Sequence, residues 1–373
     1  MNIKTGILLI IPSLFFLISC NKDTVVTKTT SAEKNVAIQE DQIYQIKQPA
    51  KSNISRGLIV RNIDNPLNIQ EIEIGLMDFS SKYFPTDKYY LQEGQYLNEE
   101  LINKWLERKS KDEPDGLNPS KNNNGLLKSE RESPKILSHV LEQNFINKKG
   151  KLAGISLAIS LNEYYHFSVM DNKGATYTDE VKVDNDNNKI NDVETYGKKI
   201  TRNIINDIRS NKDIPRVPIF ITLYQESKQN SIIPGRFLAE TYLSEDEVKI
   251  PKWNSINRKY YSFPSDELYK KDRISSDILS DLKTDIQKYF VSLNPTVTGS
   301  LLYKKDELAK MNINVNTPVI SDTELIALSQ FITSEINIIS PKVDTTINIV
   351  NHKKEKVGFI TWNPVAKKIY TNL

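Results

Sequence analysis

Residues 133–161, SPKILSHVLEQNFINKKGKLAGISLAISL, set the architecture because their pattern returns later in the chain. Ser133-Pro134 has the form of a helix start, and Ile136, Leu137, Val140, Leu141 and Phe145 follow at helical spacing. Leu152 to Leu161, with Gly154 near its start, is a short apolar run of strand length. Tyr164–Met170 and Thr176–Val183 predict two more strands. An amphipathic helix then carries Val193, Tyr196, Ile200, Ile204 and Ile208, and strands follow at Pro218–Gln225 and Phe237–Leu243.

The second pass starts at Ser275, expected to cap a helix that bears Ile278, Leu279, Leu282, Ile286, Tyr289 and Phe290. VTGSLLY then places Gly299 where Gly154 stood. Ser321 and Glu324 form a capping box for a helix with Leu325, Leu328, Phe331, Ile332 and Ile336. Val343–Val350 and Val357–Trp362 predict a hairpin closed by His352–Lys356. A recurrence of about 140 residues is too long for a solenoid. It predicts an α+β fold of two tandem related units, each with helices packed on a mainly antiparallel sheet. The boundaries expected are 51–245 and 246–373.

Upstream of the first unit, Arg56–Val60 and Glu71–Met77 cluster or alternate apolar residues as strands do. Asn98 is placed to cap a helix with Leu101, Ile102, Trp105 and Leu106 on one face. Lys109 to Ser133, charged and broken by Pro114, Gly116, Pro119 and Gly125, predicts a long surface loop.

The start of the chain decides location. Lys4 precedes an almost wholly apolar run from Gly6 to Ile18, and Leu17-Ile18-Ser19 leads into Cys20, the only cysteine. A charged start, a short apolar run and a small residue at the cut make a secretory signal peptide over residues 1–19. The cysteine at the cut narrows it to a bacterial lipoprotein signal, with Cys20 alkylated by diacylglyceryl. A membrane span is excluded, because crossing needs about 20 apolar residues and Pro12 interrupts a shorter run. Residues 20–50, rich in Thr, Lys, Glu, Gln and Asn with scattered apolar residues, predict a lipidated flexible tether with a mean span of roughly 30 Å. Two acyl chains anchor stably, so the protein is expected on the extracellular face of the cell membrane.

Near-neutral charge, 50 basic residues against 47 acidic ones, argues against a nucleic-acid partner. A single lipidated cysteine leaves no disulfide and no thiol catalysis. Asp184, Asp186, Asn188 and Asp192 resemble calcium ligands, but Lys189 and Thr195 stand where the loop needs Gly and Glu. Glu163 and His166 fall on an expected strand, where residues three apart diverge. His139 and Glu142 share a helix face without a third ligand. No serine-nucleophile elbow, zinc-helix motif or phosphate loop is present. No catalytic residue, metal or cofactor is therefore expected, and the chain is not expected to be an enzyme. Tyr89, Tyr90, Glu93, Gln95 and Tyr96 are the candidates for a recognition groove, since aromatic side chains give contact area at low entropic cost.

LISC, RGLIV, YYLQEGQYL, LSHVLEQNF, IIPGRF (Ile232–Phe237) and KWNSINRKYYSFPS (Lys252–Ser265) together resemble the CamS-family sex pheromone lipoproteins of Gram-positive bacteria. The resemblance implies a body of two α+β repeats. It also implies that lipoprotein-processing enzymes release the leader and trim it to a heptapeptide that induces conjugative plasmid transfer. Here that peptide is Ser13-Leu14-Phe15-Phe16-Leu17-Ile18-Ser19. Five large apolar side chains, at about 1.5–3 kcal/mol each when buried, suit an apolar receptor pocket. The alternatives for the body are a surface module that binds a wall polymer or peptide or serves adhesion, with no pheromone activity, a cell-wall-associated enzyme, and an inert carrier.

Overall fold

A computed structural model describes residues 44–53, 55–184, 192–339 and 342–372. The lipidation and leader positions, Ser13, Leu14, Phe15, Phe16, Leu17, Ile18, Ser19 and Cys20, lie outside the described residues, as do Asp186 and Asn188.

Two helices come first, where strands were expected. RGLIV lies in α1 (Arg56–Asn62) and EIEIGLM in α2 (Pro66–Ser80). Asn65 and Pro66 decide the second case. The Asn65 side chain accepts from Leu67 N at 3.0 Å, and proline at the first helical position has no amide to leave unpaired. The EIEI alternation is overridden, because Ile72 and Leu76, one helical turn apart, both have no exposed surface.

The first unit then runs β1 (Tyr89–Glu93), α3 (Glu99–Leu106), α4 (Leu126–Glu132), β2 (Leu137–Asn147) and β3 (Leu152–Leu161). A separate hairpin, β4 (Tyr164–Met170) and β5 (Thr176–Lys182), is followed by α5 (Val193–Ser210), β6 (Ile219–Gln225), β7 (Arg236–Leu243) and β8 (Asn254–Ser255). The second unit runs β9 (Arg258–Phe263), α6 (Asp266–Lys271), α7 (Arg273–Tyr289), β10 (Thr296–Lys304) and β11 (Glu307–Asn316). It continues through α8 (Asp322–Ile339), β12 (Asp344–Val350), β13 (Lys356–Asn363) and β14 (Lys368–Asn372).

Apart from the β4–β5 insertion, the two series are the same. The sheet orders are β1-β2-β3-β6-β7-β8 and β9-β10-β11-β12-β13-β14. Each is antiparallel except for one parallel pair, β3 with β6 and β11 with β12. That pair needs a crossover, which α5 and α8 supply. The fold is α+β in two tandem units, but the correspondence differs from the one expected. Gly154 lies in β3 and Gly299 in β10, so the two glycines are not equivalent positions.

Ser133–Phe145, expected as a helix, is instead the extended approach to β2 and most of that strand. β2 is buried at all but its last residue, because helices cover both faces of the first sheet. A strand buried on both sides loses the period of two by which strands are recognised. On one face α1 and α2 pack with Phe84, Phe145, Phe220 and Phe237. On the other, α3 and α5 pack over Val140, Ile155, Leu157, Ile159 and Ile221. In the second unit α7 and α8 cover the face formed by Val297, Leu301, Ile313, Ile347 and Ile360.

Three smaller differences have local causes. Asp272, not Ser275, caps α7, accepting from Ser275 N at 3.0 Å. The segment expected as a loop carries α4 and is pinned at Asn118, which is 1% exposed and accepts from the amides of Ile136 and Leu137 at 2.7 and 2.9 Å. The capping box holds, with Ser321 N on Glu324 at 3.0 Å and Glu324 N on Ser321 at 3.3 Å.

Candidate functional site

A cavity of about 480 Å³ opens where α1, α2, β1, β2 and the segment 46–53 meet. Its apolar wall is Ile59, Ile74, Met77, Leu91 and Leu141. The segment 46–53 is held over it by backbone bonds to β1, Lys47 N to Leu91 O at 3.1 Å and Leu91 N to Gln45 O at 2.9 Å. Tyr44 fixes the start of this segment by donating its hydroxyl to Phe84 O.

Glu93 closes the mouth. Its carboxylate accepts from Asn53 N at 2.6 Å and from the Arg56 guanidinium at 2.9 Å, tying segment and helix to the end of β1. Gln95 adds a bond from Nε2 to Ser52 O at 2.9 Å. Of the residues expected to form a groove, Glu93 therefore lines the cavity and Gln95 supports its wall. The three tyrosines lie elsewhere. Tyr89 meets Phe84 edge-on with centroids 5.9 Å apart, Tyr90 lies under the Lys148 ammonium at 4.4 Å, and Tyr96 packs against the opposite core.

The floor holds two buried polar groups with unused capacity. His139 is 2% exposed, and among the described residues its Nδ1 has no hydrogen-bond partner. Burial lowers its pKa to about 4, so the ring is neutral at physiological pH. Gln143 donates Nε2 to Glu73 O at 2.9 Å, while its Oε1 is left without a donor. An unmet buried polar atom costs about 1–3 kcal/mol. Burial also raises the Glu73 carboxyl above its ordinary range.

Glu142 does not pair with His139. Its buried carboxylate accepts from three backbone amides, those of Gln95, Tyr96 and Leu97, with the shortest at 2.8 Å to Leu97 N. It fixes the turn after β1, although burial raises its pKa against these bonds. Asp192 caps α5, accepting from Glu194 N and Thr195 N at 3.0 Å each. His166 Nδ1 faces Glu180 at 3.6 Å across the β4–β5 hairpin. Arg56 and Gln143 lie in the quoted segments RGLIV and LSHVLEQNF, but their place at the cavity, like that of Glu73, is found only once β2, α1 and α2 are in place.

The cavity's apolar walls, with an imidazole and a carbonyl oxygen at its floor and Lys47, Lys51, Arg56, Glu73 and Glu93 also lining it, suit an amphipathic ligand with a hydrogen-bond donor. Among the described residues no helix is long and apolar enough to cross a membrane.

Comparison with solved structures finds a sex pheromone precursor from Lactobacillus salivarius subsp. salivarius UCC118. It is 27% identical at a TM-score of 0.76, over 89% of this chain and 96% of that one. The C-terminal domain of the sex pheromone staph-cAM373 precursor from Staphylococcus aureus is 25% identical at a TM-score of 0.66, over 84% and 98%. No curated protein matches the chain. Residues 51–368 match the family described as CamS sex pheromone cAM373 precursor, and the chain belongs to that family.

Proposed function

We propose that this chain is a lipid-anchored surface lipoprotein and the precursor of a peptide pheromone. Membership of the CamS family carries the proposal, and the apolar leader running into Leu17-Ile18-Ser19-Cys20 supports it. Lipidation of Cys20 ties the body to the outer leaflet. The released leader is trimmed to Ser13–Ser19, whose specificity for a receptor rests on side-chain shape because the peptide has no charged side chain.

The mature body binds rather than catalyses, and its site is the cavity floored by His139 and Gln143. A peptide precursor alone needs no such cavity. That favours, as a second reading, a surface binding protein for an amphipathic wall fragment or peptide whose leader does not signal.

Mass spectrometry of culture medium for SLFFLIS, followed by plasmid-transfer assays with the synthetic peptide, separates the two. The first reading expects the peptide in the medium and a rise in transfer. Lipoprotein maturation without the peptide leaves the second.

A further inference from the structure

Glu226 follows the last residue of β6, and its amide donates to Leu161 O at the end of β3, at 2.9 Å. It therefore stands at the carboxyl ends of the central parallel pair, where open sheets with crossover helices place their ligands. The side chain is buried, with the whole residue 7% exposed. One carboxyl oxygen accepts from the hydroxyls of Ser138 and of Ser160, the latter at 2.7 Å. Among the described residues no hydrogen bond reaches the other oxygen, Oε2.

Glu226 lines a polar cavity of about 280 Å³ that shares no lining residue with the His139 cavity. Charges around it divide into two groups. Arg61 is paired with Glu99 at 2.6 Å, Lys228 with Glu180 at 2.8 Å, and His166 lies 3.6 Å from the same Glu180. Asp64 and Lys135 also line the cavity, and among the described residues neither makes an ion pair. Asn62 contributes a buried Nδ2 with no acceptor. The cavity thus offers the free oxygen of the Glu226 carboxyl and the unpaired Asp64 carboxyl, together with an ammonium and an amide donor.

We infer that this cavity binds a small zwitterion of the amino-acid type, its ammonium on Glu226 and Asp64 and its carboxylate on Lys135 and Asn62. A ligand with only one of the two charges leaves the opposite set unmatched. The volume admits a single amino acid and excludes a folded chain or a long peptide. Burial pushes the Glu226 carboxyl up to about 7 and pulls the Lys135 ammonium below its usual value. Both shifts come first from burial, which disfavours the charged forms, and opposite charges brought by a zwitterion favour them again.

The test is calorimetric titration of the full chain in detergent micelles with each free amino acid at up to about 10 mM. Ligands that bind are repeated as their N-acetyl and methyl-ester forms. At least one free amino acid is expected to bind, with each blocked form weaker by about tenfold or more. Glu226→Gln, which keeps the shape and the serine bonds, is expected to weaken binding by a similar factor, as is Lys135→Met. Circular dichroism establishes that each variant is folded, and if Glu226→Gln is not, Lys135→Met decides. Absence of heat with every free amino acid overturns the inference. So does equal affinity for a blocked form, or unchanged affinity in a folded variant. None of these outcomes bears on the released heptapeptide or on the His139 cavity.

Discussion

Arg258 Nε lies 2.6 Å from Glu71 Oε1, and the two side chains are 5% and 6% exposed. Arg258 opens the first strand of the second sheet and Glu71 sits in α2, so this pair fastens one unit to the other. A second bond, Nη2 to Glu71 Oε2 at 3.2 Å, makes the contact bidentate, and Tyr260 donates to the same oxygen at 2.7 Å. Asp78 joins through Arg258 Nη1 at 3.0 Å and Lys304 at 2.6 Å. Desolvation disfavours the guanidinium charge, but Glu71 and Asp78 outweigh it and hold its pKa above the ordinary value.

Removing one partner leaves a buried charge alone. Arg258→Met is expected to destabilise the protein by about 3–5 kcal/mol, and the double change Arg258→Met with Glu71→Leu by less. Urea midpoints of the three proteins check the order. A single variant as stable as the parent would show the pair to be dispensable.

His139 and Glu226 make stability depend on pH with opposite signs over overlapping windows, so the single variants are needed to tell them apart. His139 titrates near 4 when folded against 6.5 when exposed. Its contribution is full above about 6.5 and falls as pH drops toward 4, by roughly 3 kcal/mol. His139→Gln is expected to flatten that decline. Glu226, raised from 4.5 to about 7, favours the folded state most below about 4.5 and least above 7. Glu226→Gln is therefore expected to gain stability relative to the parent as pH rises from about 4.5 to 8. Melting curves across pH 4–8 check both.

Gly154 is fixed by an approach too close for a side chain. A Cβ there would lie 2.0 Å from the Phe84 ring, which stacks on Phe145 at a centroid distance of 4.4 Å. Gly154→Ala is expected to cost about 1–3 kcal/mol by moving that ring. Substitution at Gly57, where nothing lies within 4 Å of the added carbon, is the control. Thermal unfolding of both variants gives the comparison.

Glu93→Ala removes both bonds that hold the mouth of the 480 Å³ cavity. Hydrogen exchange is expected to accelerate in residues 47–53 by about tenfold or more, while β2 keeps its protection. Equal rates in the segment would show that the bonds to Leu91 and Gln95 hold it without Glu93.

Much of the fold was legible where one face of an element is wet. In α5, Val193, Ile200, Ile204 and Ile208 are buried at helical spacing, and the other face is polar. β2 reads poorly because both its faces are covered, and α2 reads as a strand because the alternation of Glu71 to Ile74 hides the helix start at Asn65-Pro66. β11 was legible and missed: Met311, Ile313 and Val315 alternate with asparagines. Glu93 could be singled out from its aromatic surroundings. His139 and Gln143 could not, since their role depends on β2 being extended and roofed by α1 and α2. Glu226 has no local signature at all, and its partners Ser138 and Ser160 come from two neighbouring strands.

Only Ile256 and Asn257 separate β8 from β9, and both are engaged. Ile256 N donates to Leu238 O at 3.0 Å, while Asn257 accepts from Lys305 N at 2.9 Å and donates its side-chain amide to Asp306 at 2.8 Å. With the Arg258 clamp beside it, this splice gives no slack for hinging. Force applied at one sheet is passed to the other through a stiff joint, so the two halves tilt as one piece.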